Sequence, residues 1–541
     1  MRVRDLDRLT AGPHDLLVIG GGIYGLAIAA NASRRGLRVA LVEAADFGSG
    51  LSFNHQKTAH GGLRALQSAS LRRAREAIRE RRALARLAPR LLRPLPFIIG
   101  TYHSATRNRL ALRAAFAIDA WLARDRNDGV EPELHLPAAR LVSRAATLKL
   151  FPGVRQDGLT GGAMWYDYQM VAADRLTLAF GEAADAAGAA LANYVEALDP
   201  LRDGDRIAGM RVRDALTNAE ADVRATLTIN AAGSRAGDVM RRFGVKRDLR
   251  LLKAMNLVTR RPANDIALAA PDAHGRMLTL VPWHGRALVG TSQSPEFRAP
   301  DDVGVTASEL ESFVRDANTA FPTLRLAVDD VWLVHRGIVP AIEGRGGRPE
   351  LMSSPQILDH AGEGAPGAMT VVGVKYTTAR GVAARVVERA ARRLGRSIRL
   401  SGVAEQPLPG AGIADHEALA IEAARAVSLE LAPATILHLI VTYGDRCVPI
   451  IELMAERSDW RMPLAAGRPN VGAEVVHTIR HEMAQTLADV VIRRTELGAA
   501  GHPGDDVVHA AARVAGEELG WSPQRSSDEI AAVNRFYEIA P

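Results

Sequence analysis

Asp15–Ala44 reads DLLVIGGGIYGLAIAANASRRGLRVALVEA. The apolar run Leu16–Ile19 is a short buried strand that meets glycines. Ile23 onward has helical spacing and stops at Gly36, and a second apolar strand closes on Glu43. A strand, a helix and a strand within about 30 residues make a βαβ unit. Gly20, Gly22 and Gly25 form GxGxxG in the context that gives the pattern meaning. Gly20 permits the tight turn, Gly22 leaves bare backbone for a diphosphate, and Gly25 lets helix and strand pack closely. The helix N-terminus offers unpaired N–H groups to that diphosphate. Glu43 lies where a carboxylate accepts hydrogen bonds from ribose hydroxyls, and its charge repels a 2′-phosphate. The N-terminal part is therefore expected to bind a dinucleotide, NADP excepted.

Two later segments bear on which dinucleotide. TLTINAAGS, residues 226–234, and MTVVGVKYTTARG, residues 369–381, each end an apolar strand in a glycine turn. Three separated segments converging on one extended cofactor suit FAD better than NAD. Between them, residues 66–92 and 106–124 read as basic helices. Residues 190–233 read as strands joined by turns, and RMLTLVPWHGRALVGTSQS as a hairpin through HGR. From a composition shift near Ser401–Gly412 to the end, the pattern is helical.

The chain has 541 residues, too many for one core, so two or three domains are expected. Hydrophobic residues make 47% and charged residues 24%, ordinary for a globular protein. The net charge of +7 is uneven: Arg64–Arg113 holds 13 Arg against Glu76 and Glu80. Such a stretch is either a solvated helix face or a surface for anionic lipid headgroups. No recognition motif accompanies it, so nucleic acid is not expected. Cys447 is the single cysteine, which excludes an intrachain disulfide and a thiolate zinc site. The charged N-terminus reads against a signal peptide. No run of about 20 uncharged apolar residues is present. The expectation is a cytoplasmic protein, soluble or peripheral on the inner face of the cell membrane.

Longer strings carry a resemblance. VIGGGIYGLAIA, QKTAHGGLR, NAAG at Asn230–Gly233, LLKAMNLVT, VPWHGRALVGTSQS, VVGVKYTTAR, YGDRC and AEVVHTIRHEMAQTLADVVIRRT occur in one order from Asp15 to Tyr537. Together they resemble the FAD-dependent glycerol-3-phosphate dehydrogenases, within the wider group of glycine and D-amino acid oxidases. The resemblance implies an α/β fold: a Rossmann-type, glutathione-reductase-like FAD-binding domain (residues 1–75, 150–250 and 350–400), an inserted α+β substrate domain (76–149 and 251–349) and a helical C-terminal domain (405–541). FAD contacts are expected at Gly20, Gly22, Gly25, Glu43, Lys57, Thr58, Gly61, Gly62, Val195, Ala232, Gly233, Gly373, Lys375 and Thr377. Several positions depart from the family. Ala65 replaces a tyrosine, Val339 the arginine of GVRP, His55 and Gln56 a serine pair, and Tyr24 an asparagine.

Oxidising a secondary alcohol removes a hydride and a proton. Lys375, in a glycine turn that opens a helix, suits the negative charge that develops on the reduced cofactor. Arg64 offers a planar fork of donors to a phosphate or carboxylate, with Lys253 and Arg336 as further substrate cations. His60 and His335 are candidate bases. A loop or core role remains open for each of these residues. His481–Glu482 lacks the second histidine of a zinc-protease motif, and no metal is expected. Trp165, Tyr166 and Tyr168 read as core more than as cover for the flavin. The resemblance implies a small anionic substrate, a quinone or other electron acceptor and a membrane surface, and leaves a homodimer open. An oxidase or dehydrogenase for an amino or hydroxy acid is the alternative, with a non-catalytic flavin-binding protein as the third.

Overall fold

His14–Ile19 forms the first strand in a computed structural model that describes residues 4–62, 70–103, 108–397, 406–412 and 416–539. It runs parallel to Val39–Val42 on one side and to Glu220–Asn230 on the other, with Leu16 opposite Val39 and Leu227. Ala368–Val372 and Ala190–Ala192 extend this parallel sheet, and Gln356–Asp359 closes one edge antiparallel. The strands are apolar on both faces because both are covered: Leu16, Val18 and Leu41 by helices, and Leu17, Ile19 and Val42 by the strands Val195–Asp203 and Arg206–Asp214 with the short helix Ala236–Arg242. Ile23–Arg34 packs against Ala173–Ala186 and Ala379–Arg393. A Cβ on Gly25 would stand 1.8 Å from the Gly20 carbonyl oxygen, so only glycine lets the helix start this close to the strand. Gly20 itself sits at φ 108°.

A second, largely antiparallel sheet carries the inserted domain. Its strands run in the order Pro349–Leu351, Val331–Glu343, Leu251–Pro262, Arg286–Gln293, Met277–Trp283, Ala267–Pro271, Leu92–Tyr102, Leu159–Met170 and Thr58–Ala59. The predicted hairpin is Met277–Trp283 with Arg286–Gln293. Leu159–Met170, assigned from sequence to the cofactor domain, pairs along its length with Leu92–Tyr102. The chain therefore returns to the parallel sheet near Val171, not near residue 150. The two basic helices are Leu71–Leu87 and Arg109–Leu122.

The C-terminal region is helical, and its core of Ile450, Ile451, Val475, Val508 and Val533 runs on into Trp283 and Leu333 of the second sheet and into Phe53 of the loop that precedes Thr58–Ala59. The expected boundary at 401–412 lies partly outside the described residues. Pro433–Glu456 is the only described helical stretch apolar and long enough to cross a membrane. It is broken at Gly444, φ 64°, and its Leu439, Tyr443, Ile450 and Ile451 are buried in the protein.

Candidate active site

One cavity of about 3080 Å³ runs from the parallel sheet to the antiparallel one. Its wall begins at Val195–Ala197, passes Gly20, Gly22 and Glu43, follows the loop Gly48–Ser52, and reaches Gly373–Thr378 and then Asn256, Thr279 and Gln293. The length and the glycine floor fit an extended dinucleotide. Nothing lies nearer than Ser52 Oγ, 3.1 Å, to the place of a Gly22 Cβ. Glu43 accepts from Gly21 N at 2.5 Å and Ala45 N at 2.9 Å, which leaves carboxylate lone pairs for ribose hydroxyls. Burial pushes the Glu43 carboxyl up, and those two N–H groups oppose the rise. Ala232 and Gly233 close the same wall. Gly25 works behind it, through packing.

The flavin end is built around the turn Gly373–Thr378, which opens the helix Ala379–Arg393. Lys375 is exposed on the cavity wall. Tyr24 braces the turn: its hydroxyl donates to Lys375 O at 2.8 Å and accepts from Val374 N and Lys375 N at 3.2 Å. A Cβ on Gly373 would strike the Tyr24 ring at 2.3 Å. Two further departures, His55 and Gln56, also shape this wall, and Ala65 lies outside the described residues. His55 stacks on Tyr376, ring centroids 4.7 Å apart. Gln56 ties its loop to the second sheet through Thr279 Oγ1, 2.6 Å, and Gly290 O, 3.0 Å.

Across from the turn, His60 has a half-exposed ring on the cavity. Its Nε2 lies 2.8 Å from Thr58 Oγ1 and its Nδ1 3.3 Å from Asp167 Oδ2, and its backbone N donates to Thr377 Oγ1 at 3.2 Å. Asp167 is buried and held in place. Oδ1 accepts from Gly61 N and Arg81 Nη1, both 2.6 Å, and Oδ2 from Trp165 Nε1 at 3.3 Å. Burial alone would raise the Asp167 carboxyl; hydrogen bonds from His60, the Arg81 cation and Gly61 N hold it below its ordinary value. Gly61 makes room for Arg81, whose Nη1 would lie 2.0 Å from a Cβ there. Thr58 and Gly62 line the cavity. Neither Asp167 nor Arg81 was singled out in the sequence. Only the pairing of Thr58–Ala59 with Tyr168–Gln169 brings Asp167 to His60. The aromatic group divides. Trp165 lines the cavity and stacks on Phe97 at 5.2 Å, while Tyr168 is buried and donates to Leu134 O.

Besides Gly25 and Gly61, neither of which lines the cavity, four expected residues lie elsewhere. Lys57 is fully buried beneath its loop, donating to Phe53 O at 2.7 Å and lying 3.5 Å from Asp174, with its ammonium over the Phe53 and Trp283 rings. Burial lowers the lysine and raises the Asp174 carboxyl to about 6. Lys253 is also buried, bound to Gly304 O at 2.6 Å and Glu309 at 2.7 Å, where it anchors the helix Ala307–Ala320. His335 is sealed between Phe53 and Trp283, centroids 4.9 and 5.8 Å away, and burial drives its pKa well down. Arg336 is outside the cavity wall, while Val339 is on it. The strand Val331–Glu343 alternates, so residues 336 and 339 point to opposite faces. Arg64 lies outside the described residues. Among the described residues no cluster of His, Cys, Asp and Glu could hold a metal.

A glycine-floored cavity of this length with a His–Asp pair at its far end is the architecture of a flavin-dependent oxidoreductase. The chain belongs to the DAO family, FAD dependent oxidoreductase, whose model matches residues 15–389, and FAD is its cofactor. Residues 401–526 match the C-terminal domain of alpha-glycerophosphate oxidase. Similar curated relatives are the glycerol-3-phosphate dehydrogenases of Synechocystis sp., 28% identical over 99% of this chain and 98% of that protein, and of Mycobacterium leprae, 29% identical over 98% and 89%. The fold matches the X-ray structure of glycerol-3-phosphate dehydrogenase from Bacillus halodurans complexed with FAD, with a TM-score of 0.76 at 23% identity, covering 99% of this chain and 96% of that one.

Proposed function

We propose that the protein oxidises glycerol-3-phosphate or a closely related small polyol phosphate to the ketone and passes the electrons to quinone. The observation that carries this reading is His60, exposed on the cavity, oriented by buried Asp167 and facing the Lys375 turn. The end-to-end likeness to proteins of that name, tail domain included, supports it. Bound FAD supplies the hydride acceptor, at flavin N5. Gly20, Gly22, Glu43, Val195, Ala232 and Gly233 would hold its adenosine and diphosphate, and Thr58, Gly62, Gly373, Lys375 and Thr377 its flavin. Asp167 fixes the imidazole with Nδ1 as donor, so that Nε2, which meets the Thr58 hydroxyl at 2.8 Å, is the acceptor that takes the hydroxyl proton, directly or through that hydroxyl. Lys375 and the N-terminus of Ala379–Arg393 place positive potential where negative charge develops. Arg64 clamps the substrate anion.

Val339 on the cavity wall favours a second reading, in which the substrate is a small amino or hydroxy acid whose carboxylate meets Arg64. Anaerobic mixing separates the two. Bleaching of the bound flavin by glycerol-3-phosphate supports the first reading. Bleaching only by amino or hydroxy acids overturns it in favour of the second.

A peripheral position on the membrane fits the same reading. The helix Arg109–Leu122 turns an apolar stripe outward, with Leu110 80% and Trp121 62% exposed and Ile118 between them. Exposed Arg113 and Arg124 flank it. Apolar residues beside arginines suit the headgroup region of an anionic bilayer, where a reduced enzyme meets quinone.

A further inference from the structure

We propose that the C-terminal helical domain is a clamp on the FAD cavity: the π-helical turn Asp489–Arg494 fixes the two loops that hold the adenosine half of the cofactor, so that FAD affinity and docking of this domain are coupled.

The turn reaches both loops with charged side chains; none of its own residues lines the cavity, whereas their partner Asp46 does. Asp46 belongs to the segment Glu43–Gly50 on the cavity wall. Its Oδ2 accepts from Arg493 Nε at 2.6 Å and Arg494 Nη1 at 2.9 Å, and its Oδ1 from Arg494 Nη2 at 2.7 Å. Asn193 Nδ2 donates to the same Oδ1 at 3.0 Å and to Met483 O of the C-terminal domain at 2.8 Å. The Tyr194 hydroxyl donates to Asp489 at 2.8 Å. Arg493 pairs with Asp489 as well, which closes the ring of charges. Tyr194 and Asn193 precede Val195 on the cavity wall. Backbone bonds lace the two loops together: Glu43 N to Ala192 O, Val195 N to Glu43 O and Tyr194 N to Ala45 O, at 2.7 to 3.0 Å.

Asp46, Asp489 and Arg494 are each at most 1% exposed. Desolvated charges are retained at a cost, and removing one leaves its partners uncompensated. Here the partners sit on the peptide that carries Glu43. A loop already ordered by the C-terminal domain loses less entropy when a ligand binds it. The coupling is reciprocal, so FAD binding steadies the π-helical turn, although none of its residues lines the cavity. One residue past Thr495, Glu496 extends the clamp toward the flavin loop. It lies 3.4 Å from His284 Nε2, and its charge bears on Lys57.

The test uses the full-length apoprotein titrated with FAD, followed by flavin fluorescence. Arg494→Met is expected to raise the Kd for FAD ten- to hundredfold, and Tyr194→Phe, which removes one hydroxyl, three- to tenfold. In the wild type, FAD is expected to slow amide exchange in residues 483–496, and Arg494→Met to abolish that protection. Val533→Ala is the control: it opens the C-terminal core without removing a hydrogen bond or ion pair to the loops, should lower Tm, and should leave the Kd unchanged. An unaltered Kd in folded Arg494→Met and in Tyr194→Phe overturns the proposal. So does equal weakening by Val533→Ala, which would make the effect one of general stability.

Discussion

Replacing Asp167 by Asn keeps the shape of the side chain and changes what one corner of it can do. The amide oxygen can still accept from Gly61 N or Arg81 at the Oδ1 position. The amide nitrogen then occupies the Oδ2 position, where Trp165 Nε1 and His60 Nδ1 both need an acceptor. His60 Nδ1 must become the acceptor, so Nε2 carries the hydrogen and has no lone pair for a substrate proton. Loss of a positioned general base slows the chemical step ~10²–10⁴-fold, about 3–5 kcal/mol on the barrier. Arg81 is buried and loses its carboxylate, so a further cost of about 3–5 kcal/mol in stability accompanies the change. The assay is anaerobic rapid mixing of the loaded enzyme with glycerol-3-phosphate, read as loss of oxidised-flavin absorbance, with FAD content and Tm measured alongside. Reduction at a rate within about threefold of wild type, with FAD bound, would refute the role given to this pair.

Gly25→Ala drives a methyl group into the Gly20 carbonyl, so the purified variant should be colourless or unfolded; a yellow protein of normal Tm would contradict the packing argument. Lys253→Met should lower Tm, since Glu309 loses its buried partner, and leave KM within about twofold; a large KM increase would return Lys253 to the substrate site. Burial would raise the Asp46 carboxyl, but Arg494 and Arg493 hold it down to about 2, below its ordinary 3.8. Its contribution, about 2 kcal/mol, is therefore complete above about pH 4 and lost as pH falls toward 2. Asp46→Asn should flatten the acid limb of the stability curve, and an unchanged limb would count against the clamp. Trp121→Ser should weaken sedimentation with anionic vesicles more than with zwitterionic ones, and equal binding by both proteins would remove that helix from the membrane surface.

The cofactor half of the fold was legible because its signals are local. Three glycines, a helix and Glu43 fall within about 30 residues, and each has one steric or electrostatic reason to be there. The catalytic half was legible only in pieces. His60 stands in a recognisable string, but its partner Asp167 is more than a hundred positions away and reaches it through a two-residue strand. The misplaced lysines and histidine show the other limit. A resemblance transfers a residue without the direction of its side chain. Ala254 and Asn256 face the cavity from the strand Leu251–Pro262, so Lys253, one position before Ala254, faces away. Lys57 and His335 lie in the layer beneath the wall, and depth within a core has no period in sequence. The return of the chain to the parallel sheet was placed early because glycines in LTGGAMWYDYQM hid a long strand.

Tyr24 and Gly373 constrain the order in which this protein can change. The phenol fills the space above the glycine, and its hydroxyl holds the backbone of a turn some 350 positions later in the chain. A side chain at 373 is admissible only after the ring at 24 has shrunk, and a smaller residue at 24 leaves three polar backbone atoms without their shared partner. Any lineage that drifts at one of these sites must therefore pass through a form with a loosened flavin turn, or alter both at once.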